Sequence, residues 1–391
     1  MGRLFILSLL LLLTPAWAYG LSKEKLKELN LPPGFQIDIY AEVPNARQMA
    51  LGSKGIIYVG TRRLGKVFQV IDLNGDYKAD EVKEVARDLH LPSGIAYRNG
   101  DLYVGAVSKI LRYKNIDRET NKAEIIIDTL PNKTHHGWKY LDFGPDNLLY
   151  FAVGAPCNAC LSKNPAFASI LRLDVDIPNS SPEIIAHGIR NTVGFDWHPT
   201  TNELWFTDNN RDTLSDERPY GELNRIQNKG DHFGFPFFHD ESLPDPEFGD
   251  KGKSASTYVE PELILDPHVA ALGMIFYTGN LFPDQYKNQI FMAEHGSWNR
   301  SPKAGHTGYR ITMGREIDGK LHYETFIDGW LDSNNDSWGR PVHLLQLRDG
   351  SLLLSDDKAG IIYRITYQSS ISSFLGKTIH SSDGTEKIYV R

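Results

Sequence analysis

The chain has 391 residues, 41% hydrophobic and 23% charged, and a formal net charge of −7. The acidic balance argues against nucleic acid or an anionic membrane surface as the partner, and the length exceeds one ordinary domain unless a core is shared among repeats. Two cysteines, Cys157 and Cys160, are too few for a structural zinc site.

The chain opens with the basic Met1-Gly2-Arg3, an apolar run from Leu4 to Leu13, and Ala16-Trp17-Ala18. This order describes a secretory signal peptide, residues 1–18, cut after Ala18, since a spanning helix needs about 20 apolar residues. The mature protein is expected to be periplasmic or secreted. It carries −8 once Arg3 leaves (−7 minus +1), and no later stretch is apolar enough for membrane insertion. In an oxidising compartment Cys157 and Cys160 are expected to form a disulfide rather than a redox pair.

After a short polar helix candidate at 21–29 and Pro32-Pro33 comes a strand at 35–41. Six hairpins follow, at 48–60, 94–105, 138–153, 192–208, 272–294 and 342–356, each an apolar strand, a turn of Gly, Asp or Asn, and a second strand. A third run is clearest at Ile110-Leu111-Arg112-Tyr113, Ile170-Leu171-Arg172-Leu173, Tyr309-Arg310-Ile311 and Ile362-Tyr363-Arg364-Ile365. A fourth closes most units, as at Glu124-Ile125-Ile126-Ile127 and Glu183-Ile184-Ile185. Four strands repeated six times at about 45 to 85 residues predict an all-β, six-bladed propeller of antiparallel blades over residues 19–367. The last blade lacks a fourth strand, so the strand at 35–41 is expected to complete it and close the ring. The polar, Ser-rich tail at 368–391 is unassigned.

Two stretches interrupt the repeat. Asp72, Asn74, Asp76 and Asp80 place oxygens at near-alternate positions, suiting either a structural Ca2+ or a solvated turn capped by its own Asx side chains. The insertion at 211–256 carries the aromatic run Phe233-Gly234-Phe235-Pro236-Phe237-Phe238, read as a packed loop.

In an up-and-down blade, the loop leading into strand one and the loop between strands two and three share a face. Sorted this way, Arg47, Arg62, Arg63, His135, His136, Arg190, Asn191, Asn209, Asn210, Arg211, His268, His295, Arg300 and Arg340 fall together, with Cys157, Cys160 and the loop Asp356-Asp357-Lys358. The Asp72 loop falls on the opposite face. So many Arg, His and Asn residues around one channel mouth favour a planar anionic ligand, because guanidinium groups grip carboxylates bidentately.

At these residues the chain resembles the soluble quinoprotein sugar dehydrogenases of the glucose/sorbosone dehydrogenase family, closest to the L-sorbosone dehydrogenase branch. The motifs are His135-His136-Gly137-Trp138-Lys139-Tyr140 with Phe143-Gly144-Pro145-Asp146, Gly188-Ile189-Arg190-Asn191, Phe206-Thr207-Asp208-Asn209, Glu222-Leu223-Asn224, His295-Gly296-Ser297-Trp298-Asn299-Arg300 and Trp338-Gly339-Arg340-Pro341. The resemblance implies a six-bladed propeller holding pyrroloquinoline quinone and Ca2+ over its channel. It makes His136 the catalytic base, and Arg190, Asn191, Asn209 and Arg340 contacts of quinone and substrate, with His295 and Arg300 as further cofactor contacts. It assigns calcium to the backbone of Asn210 and Arg211, and a second site to Glu222 with the backbone of Phe233. Three features depart from the family pattern: Gly221 stands where Asp is common, Asn210 stands where Gly is usual, and the lysine that contacts quinone in glucose-oxidising members has no match, its place falling near His295-Gly296. Asp208, Asp212 and Asp216 are the nearby carboxylates that could replace the missing one.

The chemistry suits these residues. Oxidising a sugar hydroxyl needs a base for the O–H proton, a role for neutral imidazole, while hydride goes to a cofactor. The expected activity is oxidation of an aldose or sorbosone-like sugar aldehyde, with electrons passed to an acceptor the sequence does not name. The competing readings are a non-catalytic propeller that binds glycan or protein, and a metal-dependent sugar lactonase.

Overall fold

The computed structural model describes residues 24–118 and 122–369, and builds six four-stranded antiparallel units from them. The expected signal peptide at 1–18 and the tail from 370 onward lie outside the described residues. Of the short helix expected at 21–29, a single helical turn at 24–26 is described.

Each expected hairpin forms the first two strands of a blade. Blade one comprises Ala46–Leu51, Ile57–Thr61, Val67–Ile71 and Glu81–Ala86; blade two, Gly94–Arg98, Asp101–Gly105, Ile110–Tyr113 and Glu124–Ile127. Blade three comprises Leu141–Phe143, Leu149–Val153, Ser169–Leu173 and Glu183–His187; blade four, Phe195–Trp197, Leu204–Asp208, Tyr220–Arg225 and Leu263–Pro267. Blade five comprises Ala271–Phe276, Ile290–Glu294, Arg310–Ile317 and Lys320–Ile327, and blade six Pro341–Gln346, Leu352–Asp356 and Ile361–Tyr367. The strand Phe35–Glu42 supplies blade six with its fourth member, pairing antiparallel from Phe35 opposite Tyr367 to Glu42 opposite Ile361. First and last strands of the propeller thus share one blade, which removes two open edges.

Why these segments form blades follows from their two-sided burial. Second strands such as Leu149–Val153 and Leu352–Asp356 are buried along their whole length, because each blade is covered by a neighbour on both faces. Fourth strands such as Glu124–Ile127 are exposed or half-buried, as outer edges should be. First strands of neighbouring blades pack side by side around the axis. That approach requires Gly194, where a Cβ would lie 2.0 Å from the Leu272 carbonyl oxygen. The Gln48 amide ties three first strands together, accepting from the amides of Ile95 and Leu141 at 3.0 Å each and donating to the Leu141 carbonyl at 2.6 Å.

The insertion in blade four does two things. Asp231–His232 adds in parallel to the outer strand of blade three, Ala186 facing Asp231. The aromatic run then packs as expected: Phe233 and Phe235 are buried, Phe233 lies edge-on to Phe206 at 4.9 Å, and Phe237 stacks on Tyr258 at 6.0 Å.

Candidate functional site

A cavity of about 820 Å³ opens at one end of the channel. Its walls come from the two loop classes expected to share a face, together with the strand ends beside them. Arg47, Arg62 and Arg63 enter from blade one, His135, His136 and Trp138 from blade three, Arg190, Asn191, Asn209, Asn210 and Asp212 from blade four, His295 and Trp298 from blade five, and Arg340 from blade six. Val193, Leu272 and Trp138 form an apolar floor that continues into the buried Val342.

His136 sits in the left-handed region at φ 49°, an uncommon conformation for a non-glycine residue that concentrates at functional sites. Gly154 makes the position possible, because a Cβ there would lie 2.5 Å from that of His136. His136 Nδ1 lies 2.9 Å from the Ala155 carbonyl oxygen. A carbonyl only accepts, so Nδ1 carries the proton and Nε2 keeps its lone pair. Burial first, then the charges of Arg190 and His135, push the imidazole well below its ordinary range. The ring is neutral at pH 7, with His135 packed on it at 4.1 Å between centroids.

Arg190 is 1% exposed and largely engaged by the protein. Nε donates to the Asn158 carbonyl at 2.8 Å, Nη1 to the Asn209 carbonyl at 2.8 Å, and Nη2 to Asn158 Oδ1 at 2.8 Å and Asp212 Oδ2 at 2.7 Å. A guanidinium has five N–H bonds, so one on Nη1 has no acceptor among the described residues. Asp208 fixes the backbone here: its carboxylate accepts from the amides of Arg190, Asn191 and Asn209 at 2.9, 2.7 and 2.8 Å. The Asn209 side-chain amide donates to the carbonyls of Asn191 and Ala271 at 3.0 and 2.9 Å.

Across the cavity, Asp357 accepts from Arg47 Nη1 at 3.1 Å and His295 Nε2 at 2.8 Å, and lies 3.4 Å from Arg62 Nη1. Burial pushes the Asp357 carboxyl up, but the hydrogen bond from His295 and the charges of Arg47 and Arg62 outweigh it and hold the group below the usual range. Burial lowers His295 to about 3, so its ring is neutral. Arg340 donates to the carbonyls of His295 and Gly296 at 2.8 and 2.5 Å, lies over the Tyr309 ring at 5.3 Å, and forms no ion pair with a described residue. Arg62 Nε is buried without an acceptor among the described residues. Trp138 is flanked by the guanidiniums of Arg47 and Arg62 at 5.9 and 5.6 Å.

Other expected positions lie elsewhere. Arg300 does not line the cavity; it donates to the carbonyls of Gly305 and Asp216 at 2.8 and 2.9 Å. Glu222 is buried behind the wall, its oxygens accepting from Asn210 Nδ2 at 2.6 Å and Asn224 Nδ2 at 2.9 Å, and burial beside Asp208 raises its carboxyl. Arg211 donates to Asp245 at 2.5 Å, and Phe233 gives its amide to the His187 carbonyl at 2.9 Å. No group of three or more His, Cys, Asp or Glu among the described residues is arranged to hold a metal ion. In the opposite-face loop, Asp72 accepts from the amides of Asn74, Gly75 and Tyr77, Asn74 from Asp76, Asp76 from Lys78, and Asp80 from Leu73, forming a self-capped turn. Cys157 and Cys160 are joined as a disulfide.

Of the three carboxylates near the Gly221 departure, Asp212 lines the cavity, Asp208 is consumed by backbone amides, and Asp216 caps Ser301 at 2.6 Å. Gly221 itself also lines the cavity. Sequence reasoning put Asp357 on this face by loop parity and Trp138 in the motif that begins at His135, but it did not foresee their contacts, and it did not single out Asn158. The signal for Asn158 is its place inside the Cys157–Cys160 loop.

The family model for Glucose / Sorbosone dehydrogenase matches residues 97–295, half of the chain. An uncharacterized protein of Borreliella burgdorferi is 34% identical over 366 residues, covering 89% of this chain and 93% of that one. The fold is shared with the holo form of the pyranose dehydrogenase PQQ domain from Coprinopsis cinerea, at TM-score 0.72 and 19% identity over 86% of this chain and 97% of that domain. It is also shared with the PQQ-bound aldose sugar dehydrogenase of Streptomyces coelicolor, at TM-score 0.60 and 17% identity over 87% of this chain and all of that one (100%). With a propeller of this architecture and a matched family region that contains His136, the buried Arg190 and the blade-four loop, the chain belongs to the Glucose / Sorbosone dehydrogenase family.

Proposed function

We propose that the protein is an exported quinoprotein dehydrogenase that oxidises an aldose or a sorbosone-like sugar aldehyde, with His136 as general base. The observation that carries this reading is the His136 geometry: a neutral imidazole with Nδ1 tied to Ala155, leaving Nε2 as the ring atom free to take a sugar hydroxyl proton in the cavity. Pyrroloquinoline quinone, the group bound by the Coprinopsis and Streptomyces proteins, would supply the hydride acceptor that no side chain can.

The residues present fit a flat, carboxylate-bearing ring. Val193, Leu272 and Trp138 offer an apolar surface, Arg62 and Arg340 carry charge not cancelled by a carboxylate of their own, and Arg190 keeps one N–H in reserve. Arg340 and Arg62 would hold carboxylates on one side while Arg190 and Asn191 orient the reacting side toward His136. Glu222 does not fit calcium as arranged, since it is buried behind the wall and burial beside Asp208 raises its carboxyl, which disfavours the ionised form calcium needs. Calcium enters this reading through the backbone of Asn210 and Arg211, and a chelator is then expected to weaken quinone binding. The residues at 1–18 support export, and the electron acceptor is a soluble or membrane species of a separate kind.

The test is to titrate quinone into purified protein with calcium and follow quinone absorbance as aldoses and sorbosone are added. Saturable binding at micromolar quinone with sugar-dependent reduction is expected; no binding to the folded protein would end the proposal. His136→Ala should abolish turnover and leave quinone binding intact. Because the folded His136 pKa is depressed, kcat/KM should stay level from neutrality down past about pH 6.5 and fall only in stronger acid.

A further inference from the structure

One short segment touches most of the working wall. Gly154 leaves space for His136, Ala155 gives its amide to the Arg190 carbonyl at 2.7 Å and its carbonyl to His136 Nδ1, and the Cys157 backbone hydrogen-bonds the His135 ring. Asn158 then makes four contacts at once. Its carbonyl accepts from Arg190 Nε, its Oδ1 accepts from Arg190 Nη2 and from the Asp212 amide, each at 2.8 Å, and its Nδ2 donates to the Asp212 carbonyl at 3.0 Å. The disulfide between Cys157 and Cys160 closes a small ring around this residue. Asp212 in turn accepts from Arg190 and, at 2.8 Å, from Asn299 Nδ2 of blade five.

We propose that Asn158, confined by the Cys157–Cys160 ring, is a positioning residue that fixes Arg190 and Asp212 at the cavity wall. The inference rests on the dehydrogenase reading above for its effect on turnover. Three of the four engaged guanidinium N–H bonds go to the pair Asn158 and Asp212, so together these two fix the direction of the one left for a ligand. Asn is suited to the task because it accepts and donates from one side chain, bracing the guanidinium and the Asp212 backbone together. The ring restricts the backbone that presents the Asn158 carbonyl, so opening it loosens the same contacts by a second route.

Three proteins decide the matter: Asn158→Ala, Asn158→Asp, and the double variant Cys157→Ser with Cys160→Ser. For the quinone-loaded enzyme, Asn158→Ala is expected to lower kcat/KM about tenfold to a hundredfold, the scale of a misplaced contact near the chemistry. Asn158→Asp keeps the acceptors for Arg190 and should restore most of that loss; the serine pair should show a smaller loss in the same direction. A second readout needs no quinone: the His136 ring, followed by NMR titration, should move toward the ordinary histidine pKa as the wall loosens and water enters beside His135, Arg190 and Asp212. Wild-type kcat/KM and an unmoved His136 in folded Asn158→Ala would overturn the proposal, as would equal losses in Asn158→Ala and Asn158→Asp with His136 unmoved. Should Asn158→Ala not fold, the serine pair decides on the same two readouts. Should the wild type neither bind quinone nor oxidise sugar, the dehydrogenase reading falls, and the His136 titration still decides whether Asn158 sets the wall.

Discussion

The two walls of the cavity use the same side chain for opposite purposes. On the blade-four side, Arg190 is buried, paired with Asp212 and engaged through four N–H bonds, so it acts chiefly as a beam. On the blade-one and blade-six side, Arg47 and Arg62 share the single carboxylate of Asp357, and Arg340 contacts carbonyls and a ring. That wall projects positive charge into the cavity. The difference teaches that an arginine count at a channel mouth does not give a ligand charge; what matters is which guanidiniums already have a carboxylate within reach.

The strongest way to break the contrast is Arg190→Met. It removes the guanidinium donors from Asp212 Oδ2, Asn158 Oδ1 and the carbonyls of Asn158 and Asn209, leaving buried acceptors and a carboxylate without their cation, and should cost about 3 kcal/mol of folding stability, read by urea unfolding. Arg340→Met removes no carboxylate partner and should be close to neutral in the same assay. Asp357→Asn comes next, and acts in two directions. Stability should fall by about 2 kcal/mol because buried Arg47 loses its counter-charge, while affinity for an anionic quinone should rise. The sign with pH is fixed by the depressed carboxyl: its contribution is present above the unfolded value of about 4 and is lost as pH falls through the folded one, so wild type and variant should converge in strong acid.

How much of this was legible in the sequence depends on what each residue is paired with. The blades were readable because apolar runs and Gly, Asp and Asn turns recur, and the closing strand followed from a missing partner in blade six. The third strand of blade four, Tyr220–Arg225, was hidden because Glu222 and Asn224 are polar yet buried, which breaks the apolar pattern. Loop parity put His136, Arg190 and Arg340 on one face correctly, since it depends on strand count alone. Parity could not separate Arg300, which shares the face but turns away to brace residues 301–305 and 216. Nor could it foresee Asp357 as the shared counter-charge, because its partners Arg47 and His295 are 310 and 62 positions away in sequence.

Smaller effects separate contact from field on the charged wall. Arg62→Ala removes a guanidinium that reaches the cavity with an unpaired Nε, and should weaken quinone binding about tenfold, the worth of one charge-assisted hydrogen bond. Arg63 lines the same cavity but is exposed and forms no ion pair with a described residue. Its influence is through water and is therefore screened beyond roughly 8 Å at physiological salt. Arg63→Ala should weaken binding about twofold at low ionic strength and leave it unchanged at high salt. A salt-independent loss in Arg63→Ala would mean that the exposed arginine touches the ligand directly, and that the charged wall extends beyond Arg47, Arg62 and Arg340 to the rim.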